Sequence, residues 1–463
     1  MKTSRPLAFL SAFATCLLSA GGAPLTATDL TRDVVPLIEN NTLQALSIGV
    51  LQPTGPASAH AGQLAPDRAF PPDDRTLYEI GSISKVFTSL LLADAVVRGE
   101  VTLDTPVARL LPVDVTLPDD AGERITLRML ATHTSGLPRI PVEIPADNYV
   151  NPYAGYTEDD LWLTLRRVRL DFEPGTRAGY SNLAAGLLGT LLARHAGTTY
   201  AELLAARITG PLGMKDTVID ADEALRSRLA PPFAAGGEAW SNWDFKALAG
   251  AGGIRSTLAD MMRFASAMLH PADTPLHKAI ELAWDRQALA AGAASISPGG
   301  QALGWMLAGD GQTRWHNGMT GGYHAAIFAH REHGIAVVLL SNRSNPAGTR
   351  IAESLFRRAV GTPERPVPNS DRAEISLTEE QLDRCVGTFR LHANAVLVCE
   401  RRNRALYVTP PGQSSDRLYA ATPSTFFSRR APVEIAFELP PDGAPATAVV
   451  VKQGSREMCA TRE

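Results

Sequence analysis

At 463 residues the chain exceeds one ordinary domain and can bury a large core. Its composition, 45% hydrophobic and 20% charged, excludes a disordered chain, and a formal net charge of −4 excludes a polyelectrolyte. There is no basic run interleaved with aromatics and no zinc spacing, so neither nucleic acid nor a metal is an expected partner.

The N-terminus has the pattern of a secretory signal. Lys2 and Arg5 precede an apolar stretch from about Leu7 to Leu18, too short to span a bilayer, and small residues run from Ser19 to Ala23. The expectation is a signal peptide over 1–23, cleavage after Ala23, and export to the periplasm with no stable membrane span. Cys16 raises a lipoprotein alternative, but Phe13-Ala14-Thr15 makes a poor lipobox.

A strand is predicted over Leu46–Leu51. From Ser82 to about Val97, residues Ile83, Val86, Phe87, Leu90, Ala93 and Val97 share one helical face, and Gly99 ends the helix. Its dense apolar content predicts burial. Between about 105 and 300 the pattern is mostly helical, with a helix over Asn182–His195 and another capped by Thr257-Leu-Ala-Asp260. Strand patterns return at 314–319, 324–329 and 335–341, then an amphipathic helix from about Arg350 to Val360. Strands on both sides of a helical middle predict one sheet built from both ends of 24–360, with a cleft beside the inserted lobe. The stretch 361–376 reads as a linker, with three prolines in 361–371. Thr378-Glu-Glu-Gln381 is a capping box. Beyond 377, alternating segments at 386–391, 395–401, 405–409, 433–439 and 446–453 predict a small all-β barrel. Cys385, Cys399 and Cys459 lie there; export permits a disulfide, and an odd count leaves one thiol over.

Ser82-Ile83-Ser84-Lys85 puts a hydroxyl and an amine one helical turn apart on one face. A serine hydroxyl needs a neighbouring base before it is a good nucleophile. Lys can serve where its site lowers its pKa, whereas Arg stays protonated. Of 44 basic residues only six are Lys (2, 85, 215, 246, 278 and 452), and only Lys85 follows a Ser by three. So short a pattern also arises by chance. Two more motifs follow in order: Tyr180-Ser181-Asn182, after a Pro174-Gly175 turn at the mouth of a helix, and His316-Asn317-Gly318 on a predicted strand.

With these three motifs the chain resembles the serine β-lactamase and penicillin-binding group, on the class C side. Tyr78–Lys85, Thr132–Pro138, Gly252–Thr257 and His316–Tyr323 are each similar to recurrent segments of that group, and the likeness runs from about 35 to 360. The segment after the linker resembles the lipocalin-like barrel that follows some members. The resemblance implies an α/β (α+β) fold, an antiparallel sheet flanked by helices with an inserted helical lobe, followed by the barrel. It implies an acyl-serine mechanism without a cofactor, on a small-molecule or peptidoglycan-derived substrate.

Ser82 is the expected nucleophile, with Lys85 helping to take its proton. Tyr180, between two cationic groups, is expected to ionise below its usual pKa of about 10 and act as general base. Asn182 is expected to hold Lys85 and a substrate amide, or simply to cap its helix. By family analogy the Ser82 and Met319 N–H groups form the oxyanion hole. Asn317 belongs to the substrate-binding strand, and Gly318, Gly321 and Gly322 would admit substrate close to it. Tyr180 as a plain core tyrosine is the bland alternative. His133 reads as structural, and His330 and His333 as solvated turn residues. Trp240, Trp243 and Phe245 either line the cleft or fill core. His316 departs from the Lys usual there; being partly charged near neutral pH, it predicts weak or pH-dependent carboxylate recognition. A β-lactam, a D-amino-acid peptide and a simple ester all stay open as substrates, as does a sensor that acylates without turnover.

Overall fold

Both ends of the first 360 residues meet in one sheet. The computed structural model describes residues 22–463 apart from 67–69, 145–149, 288–293, 366–367, 370–371, 393–394, 403, 412–414 and 430. The expected signal segment up to residue 21, and parts of the linker, lie outside the described residues. The N-terminal side supplies β1 (Ala45–Leu51) and β2 (Ala57–Gly62), and a separate pair joins β3 (Leu77–Glu79) to β4 (Arg255–Thr257). The later part adds β5 (Met306–Leu307), β6 (Arg314–Met319), β7 (His324–His330) and β8 (Ile335–Ser341). The sheet order is β2-β1-β8-β7-β6-β5, every pair antiparallel, with Leu46 opposite Ser341.

Alternation explains why β8 is apolar from Ile335 to Leu340. Val337 and Leu339 face a cluster with Leu30, Val34, Leu355 and Phe356, from the helices Ala27–Glu39 and Ala347–Ala359. Val338 and Leu340 join the opposite cluster with Met261, Phe264 and Met268 of the helix Leu258–Leu269. A strand covered on both faces reads as a continuous hydrophobic run. The Leu258–Leu269 helix starts as predicted, with Thr257 Oγ1 accepting from Asp260 N at 3.2 Å. The last helix of this region begins at Ala347, three residues before the sequence placed it, because small Ala347 and Gly348 fit under β7.

The inserted lobe surrounds the helix Ser84–Val97, buried from Ser84 to Ala95. Phe87 stacks on Phe264 at 4.2 Å between ring centroids, pinning this helix to the sheet side. Truncating such a buried ring costs about 3–5 kcal/mol. The helix Asn182–His195 matches its predicted span, but its cap is Ser181, whose Oγ accepts from Ala184 N at 2.9 Å and donates to Pro138 O at 2.7 Å. Asn182 is therefore the first helical residue and not the cap.

After the capping box Thr378/Gln381 and its short helix Glu379–Asp383, eight strands close a barrel. They are β9 (Gly387–His392), β10 (Ala395–Arg402), β11 (Ala405–Thr409), β12 (Asp416–Ala420), β13 (Thr425–Ser428), β14 (Val433–Glu438), β15 (Ala448–Gln453) and β16 (Arg456–Arg462). β16 returns to pair with β9. Phe389, Leu397, Leu406, Phe426, Phe437 and Val449 share the barrel's apolar cluster. Cys385 and Cys399 are buried there and Cys459 is exposed; all three are free thiols. The barrel touches the first region through Tyr419, whose hydroxyl accepts from Asn345 Nδ2 at 2.6 Å, and through Arg417, which donates to Ala235 O; Arg417 also donates to Glu374 of the linker at 3.0 Å. Among the described residues no helix is long and apolar enough to cross a membrane.

Candidate active site

β3 runs into a single 3-10 turn, Gly81–Ile83, before the buried helix begins at Ser84. Gly81 has φ +51°, and a Cβ there would lie 2.6 Å from Met319 N. A Cβ on Gly318 would lie 1.9 Å from Ile80 O and 2.9 Å from Ser82 N. Only paired glycines let the nucleophile turn and β6 meet backbone to backbone. The Ser82 and Met319 amides border this seam.

Lys85 is 2% exposed. Its Nζ lies 3.0 Å from Ser82 Oγ and donates to Ala251 O at 2.6 Å. Burial first, and then the positive charge of Arg139, lower its pKa well below the usual Lys value. A neutral amine in this place can donate to Ala251 and turn its lone pair to the Ser82 hydroxyl.

Tyr180 lies alongside. Its hydroxyl hydrogen-bonds the Ser82 side chain, and its ring centre is 4.9 Å from Lys85 Nζ and 5.2 Å from the Arg139 guanidinium carbon. The ring keeps some exposure while its hydroxyl end is enclosed. Burial pushes its pKa up to about 12, against the opposing Ser82 hydrogen bond and Arg139 charge. This reverses the sequence expectation: desolvation outweighs the charge of Arg139, and the phenol keeps its proton.

Asn182 stands next to this pair without holding Lys85. Its Nδ2 donates to Tyr153 Oη at 2.9 Å, and its buried Oδ1 has no protein partner. The place expected for it at Lys85 is taken by the Ala251 carbonyl. His316 is 1% exposed, with Nδ1 2.5 Å from Asn317 O. Burial, reinforced by Lys85, drives its pKa down to about 3. The expected partial charge near neutral pH is therefore absent, because this β6 side chain is sealed from water. Asn317 donates from Nδ2 to Thr349 Oγ1 at 3.1 Å, tying β6 to the helix Ala347–Ala359. Met319 is half exposed.

His133 is buried at φ +59°, and its Nδ1 accepts from Ser181 N at 3.2 Å, a structural role. His330 is buried at the end of β7, with its ring 4.5 Å from that of His333, so the solvated reading fails for it. The aromatic trio splits. Phe245 is buried against Tyr153 at 4.7 Å, whereas the indoles of Trp240 and Trp243 crowd Gly321 beside β6.

Sequence reasoning missed Glu79, Tyr153 and Arg139. Buried Glu79 accepts from Asn242 Nδ2 and Trp243 N, both at 3.0 Å, holding that loop against β3. Its one signal was a carboxylate inside the apolar run Leu77-Tyr78-Glu79-Ile80. Arg139 follows directly on the Thr132–Pro138 segment, and Asn182 N donates to its carbonyl at 2.8 Å.

A serine on the turn leading into a buried helix, with a buried lysine three residues on, a tyrosine on its hydroxyl and a glycine-lined strand beside it, is the arrangement of a penicillin-binding type of serine hydrolase. The Beta-lactamase family pattern matches residues 34–362, and the chain belongs to that family. It is 36% identical over 204 residues to the D-alanyl-D-alanine-carboxypeptidase/endopeptidase AmpH of Escherichia coli (strain K12), a match covering 44% of this chain. The chain spans about half the length of that relative, 51%. It is 27% identical to a beta-lactamase of Pseudomonas fluorescens over 355 residues, 69% of this chain and 94% of that protein. In three dimensions it is similar to a beta-lactamase/D-alanine carboxypeptidase from Yersinia pestis, with a TM-score of 0.63 and 26% identity, covering 72% of this chain and 97% of that one.

Proposed function

We propose that the protein is an exported hydrolase that forms an acyl-Ser82 intermediate from β-lactam amides or D-amino-acid peptides. The observation that carries this is the buried Lys85 amine 3.0 Å from Ser82 Oγ. In the proposed acylation, Lys85 takes the Ser82 proton as Oγ attacks the carbonyl carbon. The oxyanion is received by the Ser82 and Met319 amides, worth about 10²–10³ in rate per donor. Tyr180, still protonated, gives its proton to the leaving nitrogen, and the Lys85 ammonium restores it. Water then repeats the sequence on the acyl-serine, and the proton it loses returns to Ser82. The unpaired Oδ1 of Asn182 is an acceptor for a substrate amide N–H. The named activities of the AmpH, Pseudomonas and Yersinia proteins support the choice of amide substrates.

A second reading, hydrolysis of simple esters, is favoured by one observation. His316 is neutral, so the third motif carries no cation for a substrate carboxylate. The test is turnover of a chromogenic cephalosporin, a D-Ala-D-Ala peptide and a p-nitrophenyl ester, with Ser82→Ala as control. Cephalosporin or peptide turnover lost in Ser82→Ala is the expected result. Ester turnover alone selects the second reading, a burst without turnover indicates a sensor, and full activity in Ser82→Ala removes the nucleophile. Export rests on the pattern of residues 1–23; a mature N-terminus at Pro24 in the periplasmic fraction is the matching observation.

A further inference from the structure

A carboxylate-bearing substrate needs a cation, and the usual place for one is empty of charge. His316 is sealed and Lys85 is enclosed against Ser82 and Ala251. Arg139 is different. Its side chain is exposed, and its guanidinium lies 5.2 Å over the face of Tyr180, the ring whose hydroxyl meets Ser82. Its carbonyl is fixed by Asn182 N at the start of the second-motif helix, so the residue is anchored to the site through its own backbone. Among the described residues Arg139 has no acidic partner, whereas Arg98, Arg128, Arg166, Arg228, Arg331 and Arg417 each pair with a carboxylate.

We propose that Arg139 binds the carboxylate of anionic substrates, supplying from the Tyr180 side the cation that position 316 lacks. This rests on the serine hydrolase reading and adds a substrate preference to it. A guanidinium presents two parallel N–H donors to a carboxylate and remains charged at every working pH. Its guanidinium carbon lies 5.2 Å from the centre of the Tyr180 ring, which places the charge beside the nucleophile. Carboxylate recognition is then independent of pH near neutrality. Arg139 touches none of the reacting atoms in this scheme and sets specificity.

The experiment follows hydrolysis of a neutral p-nitrophenyl ester and its inhibition by an anionic cephalosporin, in wild type, Arg139→Ala and Arg139→Lys. Inhibition reads cephalosporin binding or acylation whether or not it is turned over. Arg139→Ala should weaken the cephalosporin by about 10- to 100-fold, the range for losing a charge-assisted contact. The loss for the ester should be at least about tenfold smaller, and Arg139→Lys should recover part of the difference. Equal fold losses on both compounds would show that Arg139 acts only through Tyr180 and Lys85, whose pKa values its charge lowers, and would overturn the proposal. Wild type indifferent to the cephalosporin also overturns it. If wild type neither hydrolyses the ester nor is labelled at Ser82 by an acylating probe, it is the hydrolase reading that fails.

Discussion

One methyl group at Gly318 should silence acylation while leaving the protein folded. The added Cβ would sit 1.9 Å from Ile80 O and 2.9 Å from Ser82 N, and both obstacles are backbone atoms that cannot swing aside. Ordinary contact begins near 3.4 Å, so the seam between the nucleophile turn and β6 must open by about 1.5 Å. A 1 Å misplacement can cost about 10²-fold in rate, and losing one oxyanion donor about 10²–10³-fold, or about 2.7–4 kcal/mol. The acylation rate of Gly318→Ala is therefore expected to fall by about 10²–10³-fold. Overpacking of this kind costs about 1–3 kcal/mol of stability, which a domain with a large core survives. The assay is single-turnover labelling of Ser82 by a fluorescent penicillin, with a thermal melt on the same sample. Gly321→Ala is the control. Its Cβ would meet the indoles of Trp240 and Trp243, side chains able to shift, and its acylation should suffer less. A folded Gly318→Ala that labels within about fivefold of wild type would refute the argument that the seam sets the oxyanion geometry.

Lys85→Arg should lose about 10²-fold or more in acylation, since a guanidinium cannot take the Ser82 proton; near-normal rates would show that only positive charge is needed. Lys85→Met should be inactive yet more stable than wild type. Burial holds the folded-state pKa of Lys85 below its unfolded value, so the unfolded chain binds more protons between the two and wild-type stability falls as pH drops through that window. The stability gain of Lys85→Met should accordingly be larger at pH 6 than at pH 10, measured by denaturant unfolding, and equal gains would mean the amine is not depressed. With the His316 pKa near 3, the KM for an anionic substrate should stay level from pH 5.5 to 8; a rise through pH 6.5 that disappears in His316→Gln would show the ring to be solvated. A truncation ending at Asn369 should still label at Ser82 but melt earlier, because it removes Arg417 and Tyr419 from Ala235 and Asn345. A folded truncation that cannot label would show that the barrel completes the site.

What the sequence made legible was local. The spacing of Ser82 and Lys85, the glycines around β6 and the apolar run of β8 each carry their meaning within a few residues. The helix Asn182–His195 was legible for the same reason. The partner of Lys85 was not, because Ala251 offers a backbone carbonyl from 166 residues away. The charge states of Tyr180 and His316 were misjudged together. Both depend on how much water reaches the group, which is a property of packing and not of neighbours in sequence. In the barrel, β12 was missed because it is buried from Arg417 to Ala420 without alternating, β13 because four residues make too short a run, and β16 because its side chains are mostly exposed. The helix Ala27–Glu39 was passed over although Thr26 and Asp29 form a capping box, since Pro36 interrupts the pattern.

The pairing of β1 with β8 also fixes when the enzyme can come into being. Leu46 waits for Ser341, and the turn carrying Ser82 waits for Gly318 and Met319, so nothing in the first two hundred residues can assemble the seam alone. Contacts so distant in sequence close slowly, because the loop entropy is spent before the contact repays it. A chain emerging from a ribosome would carry its serine as an inert hydroxyl until residue 341 had followed. Reactivity therefore arrives in one step with the finished sheet, and a nascent chain caught halfway would acylate nothing.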